Sequence, residues 1–139
     1  LILVIRIFIG PCTVVGNSMN PTYHDGQIVL TYNRVLKPID VGEVVTLKNE
    51  FADGDYFVKR VVGIPGDELV IIDGILYRNG EEAINFEPIE DPGMLEEPYI
   101  VQKNEYFCMG DNRNNSYDSR KIGPVKYNDI NGVVFNSKK

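Results

Sequence analysis

Glu68-Leu69-Val70-Ile71-Ile72-Asp73-Gly74-Ile75-Leu76-Tyr77 reads as two short apolar strands joined by a two-residue turn. Asp-Gly between such runs supplies the positive φ angles that a tight primed hairpin turn requires. The same texture extends outward in both directions. Upstream lie residues 27–32, behind the turn His24-Asp25-Gly26, then 41–48, then 56–64, closed by Pro65-Gly66-Asp67. Downstream, residues 105–109 end at Gly110-Asp111, and 132–135 precede a polar tail. Each run is rich in β-branched or aromatic residues and bounded by Gly, Pro, Asn or Asp. No window carries a sustained apolar stripe at helical spacing, and 13 Gly with 8 Pro would break one. A helical turn is expected only at residues 126–131. The expected fold is mostly β, built of antiparallel sheets.

With 139 residues the chain holds one core, and its 43% hydrophobic and 24% charged content is ordinary for a globular protein. Residues 11–77 and 105–139 are expected to form that core. Between them, residues 78–104 contain Pro88, Pro92 and Pro98 and read as a small irregular cap or flap. Seven of the 20 acids fall between Glu81 and Glu97, a solvated acidic loop. The net charge of −6 and pI near 4.8 argue against a nucleic-acid partner, which needs clustered Lys and Arg. Cys12 and Cys108 are too few for a disulfide framework and read as small buried hydrophobes. With one histidine besides, the usual metal-ligand spacings are missing, so neither metal nor cofactor is expected. In Leu1-Ile2-Leu3-Val4-Ile5-Arg6-Ile7-Phe8-Ile9, eight of nine residues are apolar. That falls short of the roughly 20 residues a bilayer span takes. Residues 1–10 read as the end of a membrane anchor, or a membrane-proximal strand, running into the first core strand. They do not form a complete secretory signal, lacking its basic start and small-residue cleavage site.

Chemistry is concentrated in two further stretches. In Gly16-Asn17-Ser18-Met19-Asn20-Pro21-Thr22 a serine sits in a turn between glycine and proline. A serine hydroxyl is a weak nucleophile until a base takes its proton. His24 is one candidate base, although a histidine in such a turn is usually just exposed. Lys59 is the other, sharing a strand face with Phe57 and Val61. To act near neutral pH it must drop by roughly 3 units, a differential of about 4 kcal/mol that burial can supply. Strand pattern alone favours a surface lysine guarding a sheet edge. The neighbouring motifs reverse that preference.

Ser18-Met19-x-Pro21-Thr22, the run Val58-Lys59-Arg60-Val61-Val62-Gly63-Ile64-Pro65-Gly66-Asp67, and Gly110-Asp111-Asn112-Arg113-x-x-Ser116-x-Asp118-Ser119-Arg120 resemble, in order, the signature blocks of type I signal peptidases. A weaker fourth, Gly42-Glu43-Val44-Val45, resembles the strand between the first two. The resemblance covers residues 12–134 apart from 78–104. It implies a single-pass, membrane-anchored serine–lysine endopeptidase on the outer face of the cytoplasmic membrane. Its partners would be membrane lipid and exported preproteins, whose signal peptides it removes after an Ala-x-Ala-like site. Carried over by position, Ser18 is the nucleophile and Lys59 the general base, with Ser116 orienting the Lys59 amine. Asp118 with Arg120, and Asp111 with Arg60, are the implied bracing ion pairs. Val14, Met19 and Val58 are the implied linings of shallow substrate pockets. Gly16, also substrate-binding, stands where some members carry an oxyanion-hole serine, which resembles the Gram-positive branch. Asn114 replaces a frequent aspartate. Two alternatives share these motifs. One is a relative dedicated to pilus assembly and pilin precursors. The other is a self-cleaving repressor-type protease, whose DNA-binding module and Ala-Gly cleavage site are missing here.

Overall fold

The computed structural model describes residues 1–48 and 56–139. Its elements are α1 (Ile2–Phe8), β1 (Ile9–Thr13), β2 (Ile28–Asn33), β3 (Val44–Lys48), β4 (Tyr56–Gly63) and the hairpin β5 (Glu68–Ile72) and β6 (Ile75–Arg78). Two-residue strands β7 (Glu81–Glu82) and β8 (Tyr99–Ile100) follow, then β9 (Glu105–Met109), α2 (Ser119–Ile122), β10 (Val125–Lys126) and β11 (Ile130–Val134). They form a seven-stranded sheet, ordered β1-β2-β11-β3-β4-β9-β10, and a four-stranded sheet, ordered β7-β6-β5-β8. The strand pairings in both sheets are antiparallel. The protein is mostly β, as its sequence predicts.

Strand alternation explains how the large sheet is buried. Val44, Val58 and Val134 point to one face, packing with Cys12, Val14, Met19 and Val29. Their neighbours Val45, Val61 and Val133 point to the other, against Tyr32, Ile39, Cys108 and Ile130. Each such side chain, fully removed from water, contributes about 1.5–3 kcal/mol of hydrophobic transfer. A third cluster, Val62, Leu69, Ile71, Leu76, Ile89, Leu95, Val101, Phe107 and Met109, joins the two sheets.

The hairpin forms as the sequence predicts, with Asp73 at φ 50° and Gly74 at φ 78°. The strand expected at 41–48 starts later, at Val44, because residues 41–42 turn. The helical turn expected near residues 126–131 is a 3-10 turn at Tyr127–Asp129. Three expectations need correction. Residues 2–8 are a helix rather than a strand, and the extended chain begins only at Ile9. An uninterrupted apolar run carries no periodicity to separate the two. None of the helix's residues is buried. No helix among the described residues is long and apolar enough to cross a membrane. Second, α2 was not anticipated; it is four residues long, capped by Asp118 accepting from the Arg120 N–H. Third, residues 78–104 are largely irregular, as expected, but not wholly so. Their strands β7 and β8 flank the β5–β6 hairpin, so the small sheet crosses the 77/78 boundary.

One buried ion pair gathers the chain's distant parts. Arg60 on β4 donates from Nε and Nη2 to the two carboxylate oxygens of Asp111, each at 2.8 Å. Both side chains are wholly buried. Arg60 Nη1 donates to the Gly42 and Ser137 carbonyls, each at 2.7 Å. Asp111 also accepts from the Thr22 hydroxyl at 2.6 Å. Phe86 places its ring 5.7 Å from the Arg60 guanidinium and 5.2 Å from that of Arg113, tying the insertion to the same point. Removing one member strands the other as an uncompensated buried charge, which costs about 3–5 kcal/mol. Asp111→Ala is therefore expected to lower the urea midpoint by that amount divided by the m-value, with the m-value itself unchanged. An unshifted midpoint would show that the pair carries no weight in the fold.

Candidate active site

Ser18 lies in the loop between β1 and β2. Two hydrogen bonds close that loop's base, from Val14 N–H to the Gln27 carbonyl and from Gly26 N–H to the Val14 carbonyl, both at 2.8 Å. Gly16 takes φ +82°, a left-handed conformation that costs a residue without a Cβ nothing. Its N–H donates to the Asp25 carboxylate at 2.7 Å. Beyond Ser18 the chain turns, with Asn20 N–H donating to the Asn17 carbonyl at 3.1 Å and Thr22 N–H to the Met19 carbonyl at 2.8 Å. The Met19 side chain is fully buried and anchors the turn, its Sδ 3.4 Å from the Asp111 N–H.

Lys59 on β4 faces this loop. It pairs with Val45 on β3, and only 5% of its surface is exposed. Its Nζ is 2.6 Å from Ser18 Oγ. Burial lowers its pKa from the ordinary lysine value, because the charged form loses hydration; the nearby Asp118 carboxylate partly opposes this. The Phe57 ring covers the amine at 5.7 Å. The lysine is therefore no edge guard. His24 is exposed, and its Nδ1 bonds Asn20 Oδ1 at 3.2 Å rather than the serine. Cys108 is buried on the same side as Lys59. Burial, helped by the Asp118 charge, pushes its thiol up to about 12, so it holds its proton. Cys12 lies in the cluster on the opposite face.

The third motif crosses behind the pair. Asp118 accepts from Arg120 Nε at 3.0 Å and Nη2 at 2.9 Å, from the Gly110 N–H at 3.0 Å and from the Ser116 hydroxyl at 2.7 Å. Burial works against its charge, but these donors and the Arg120 cation outweigh it and hold the carboxyl below its usual range. Ser116, expected to orient the Lys59 amine, donates its hydroxyl proton to Asp118, a charged acceptor, which leaves the oxygen's lone pairs able to accept. The Asp118–Arg120 and Asp111–Arg60 pairs both form. Gly110 is required by close approach: a Cβ there would sit 2.3 Å from Ser116 Oγ and 2.5 Å from the Ser18 carbonyl oxygen.

Ser18 and Lys59 open onto a cavity of about 800 Å³, whose walls include Gly16, Leu47, Phe57, Tyr117 and Pro124. Val14, Met19 and Val58 are not on those walls. Successive strand residues point to opposite faces, so Val58 turns away from the Lys59 side into the core cluster shared by Val14 and Met19. All three are at most 1% exposed. Two residues with clear roles went unnoticed in the sequence. Asp25 caps Gly16, and its place in the His-Asp-Gly turn was the available signal. Asn112 holds the Ser18 loop through two bonds, and it sits inside the third motif.

Comparison with known proteins points the same way. A family model described as signal peptidase, peptidase S26, matches residues 1–137. The chain is similar to signal peptidase I of Bacillus licheniformis, 36% identical over 141 residues, covering 86% of this chain and 71% of that protein. It is also similar to signal peptidase I S of Bacillus subtilis (strain 168), 38% identical over 135 residues with the same two coverages, 86% and 71%. A crystal structure of a signal peptidase I from Enterococcus faecalis V583 superposes with a TM-score of 0.53 at 25% identity, covering 70% of this chain and 97% of that one. A half-buried serine–lysine contact, flanked by two buried ion pairs and found in a chain matched almost end to end, leaves one assignment: this chain belongs to the signal peptidase family, peptidase S26.

Proposed function

We propose that this protein is a serine endopeptidase that removes signal peptides from exported preproteins, with Ser18 as nucleophile and Lys59 as general base. The 2.6 Å approach of Lys59 Nζ to Ser18 Oγ carries this reading. In the neutral amine the nitrogen lone pair accepts from the Ser18 hydroxyl and takes its proton as Oγ attacks the scissile carbonyl. The Ser18 backbone N–H is the donor that meets the developing oxyanion. The ammonium then protonates the departing amine, and the regenerated base activates water to release the acyl-enzyme. Asp118 sets the field at the base and is itself kept ionised by Arg120.

Cleavage after an Ala-x-Ala-like site follows from the family motifs, and an extended substrate would add a strand beside residues 14–17 and 56–58. Val14 and Tyr56 already meet in a parallel bridge where those segments converge. The exposed apolar helix α1, leading directly into β1, supports a membrane-apposed enzyme acting on the extracytoplasmic side. General preprotein processing, rather than a dedicated pilin role, is the reading adopted.

A purified preprotein with an Ala-x-Ala site, presented in detergent micelles, is expected to be cut after the second alanine. Ser18→Ala and Lys59→Ala, both folded by circular dichroism, should each lose about a thousandfold or more in kcat. His24→Ala should stay within about twofold of the parent, since substitutions at exposed positions are usually close to neutral. Cleavage that survives Lys59→Ala but fails in His24→Ala overturns the mechanism. A pilin precursor cut in preference to the general preprotein would redirect the substrate assignment.

The pH profile tests the base separately. Only neutral Lys59 can accept the proton, so kcat/KM rises with pH through the free-enzyme Lys59 titration. Burial places that limb below 10.5, the value for an ordinary lysine. A limb at or above 10.5 would contradict a buried lysine base. Gly110→Ala should abolish cleavage while leaving the fold intact, because its Cβ would displace the Ser18 carbonyl. Retained turnover would show that the crossing at Gly110 tolerates expansion.

A further inference from the structure

We propose that Asn112 is a positioning residue for the oxyanion donor: by holding the Asn17–Ser18 peptide plane, it aims the Ser18 N–H into the cavity. This rests on the reading of Ser18 as the nucleophile. Asn112 grips both carbonyls that flank the serine. Its side-chain Nδ2 donates to the Asn17 carbonyl at 3.1 Å, and its backbone N–H donates to the Ser18 carbonyl at 2.9 Å. A backbone carbonyl can only accept, so the amide nitrogen must be the atom facing Asn17.

The geometry of the peptide group turns this grip into an orientation. The Asn17 carbonyl and the Ser18 N–H belong to one planar trans unit and point in opposite directions. Fixing the carbonyl toward Asn112 therefore fixes the N–H away from it. Among the described residues no acceptor engages the Ser18 N–H, whereas the Asn17 carbonyl accepts twice, from Asn112 and from Asn20 N–H at 3.1 Å. Two donors on the carbonyl also polarise the shared amide, which strengthens its N–H as a donor. Gly16 adds no side-chain hydroxyl at this point, so the backbone N–H carries more of the oxyanion's stabilisation.

The backbone half of the grip survives any substitution except proline, so side-chain variants isolate the Nδ2 contact. Asn112→Asp keeps the shape, removes the donor and sets a carboxylate against the Asn17 carbonyl. Asn112→Ala removes the side chain without adding charge. Both are expected to lower kcat by about tenfold to a hundredfold, below the loss typical of deleting an oxyanion donor outright, with KM unchanged within twofold. A peptide boronate, whose tetrahedral adduct on Ser18 places an oxygen in the same position, should lose affinity by the same factor. The affinity of a non-cleavable substrate peptide and the acidic limb of the pH profile should not move.

Parent-like kcat and boronate affinity in both folded variants overturn the proposal. So does a loss expressed mainly in KM, or one accompanied by a moved acidic limb. Failure of the underlying reading looks different: the parent protein itself would not cut the preprotein, or Ser18→Ala would retain activity.

Discussion

The Arg60–Asp111 pair is the constraint on which the placement of Ser18 and Lys59 depends. Arg60 directly follows Lys59 on β4, and Asp111 directly precedes Asn112, which grips the Ser18 loop. A bidentate guanidinium–carboxylate contact tolerates little rotation or slip. Locking these two residues therefore fixes the separation between β4 and the Ser18 loop. Thr22, bonded to the same carboxylate, closes the circuit from the other end of that loop. The ion pair is weak support for stability in itself, since an apolar substitute can pack as well. Its value here is geometric, because it transmits one register to both Ser18 and Lys59.

A second layer of electrostatics surrounds Lys59. Its apolar neighbours, such as Phe57 and Val61, favour the neutral amine. A carboxylate too close would restore the charge. Asp118 is near enough to be felt by Lys59, yet its bonding capacity is taken up by Arg120, Ser116 and Gly110. The carboxylate is spent structurally, so the lysine is left to the serine.

Much of this was legible in the sequence, for physical reasons that differ by element. The β5–β6 hairpin was readable because Asp73-Gly74 encodes its own turn. Ser18 and Lys59 were readable only as a pair, through the blocks around them. Helix α1 was hidden, because an unbroken apolar run has no period. The small sheet was hidden because strands as short as β7 and β8 have no pattern of their own and exist only by pairing with a hairpin already formed. The Ser116–Asp118 bond was not foreseen, because sequence supplies candidate partners but not which of them a hydroxyl donates to. The burial of Val14, Met19 and Val58 beneath the cavity wall was not legible either. Proximity to the serine along the chain does not tell which face of a strand a side chain takes.

The connectivity of the site also sets an order of assembly. Lys59 lies 41 positions after Ser18, Thr22 and Asp111 are 89 apart, and Asn17 and Asn112 are 95 apart. Loop closure over such separations is slow and comes late in folding. During synthesis, a chain that has emerged only as far as β8 holds its serine and lysine without the segment that clamps them. In that state the lysine is solvated and keeps its proton, as a free lysine does at neutral pH. Latency is thus written into the chain order: a protease that would be dangerous when half-made becomes competent only once β9 and the residues after it have docked.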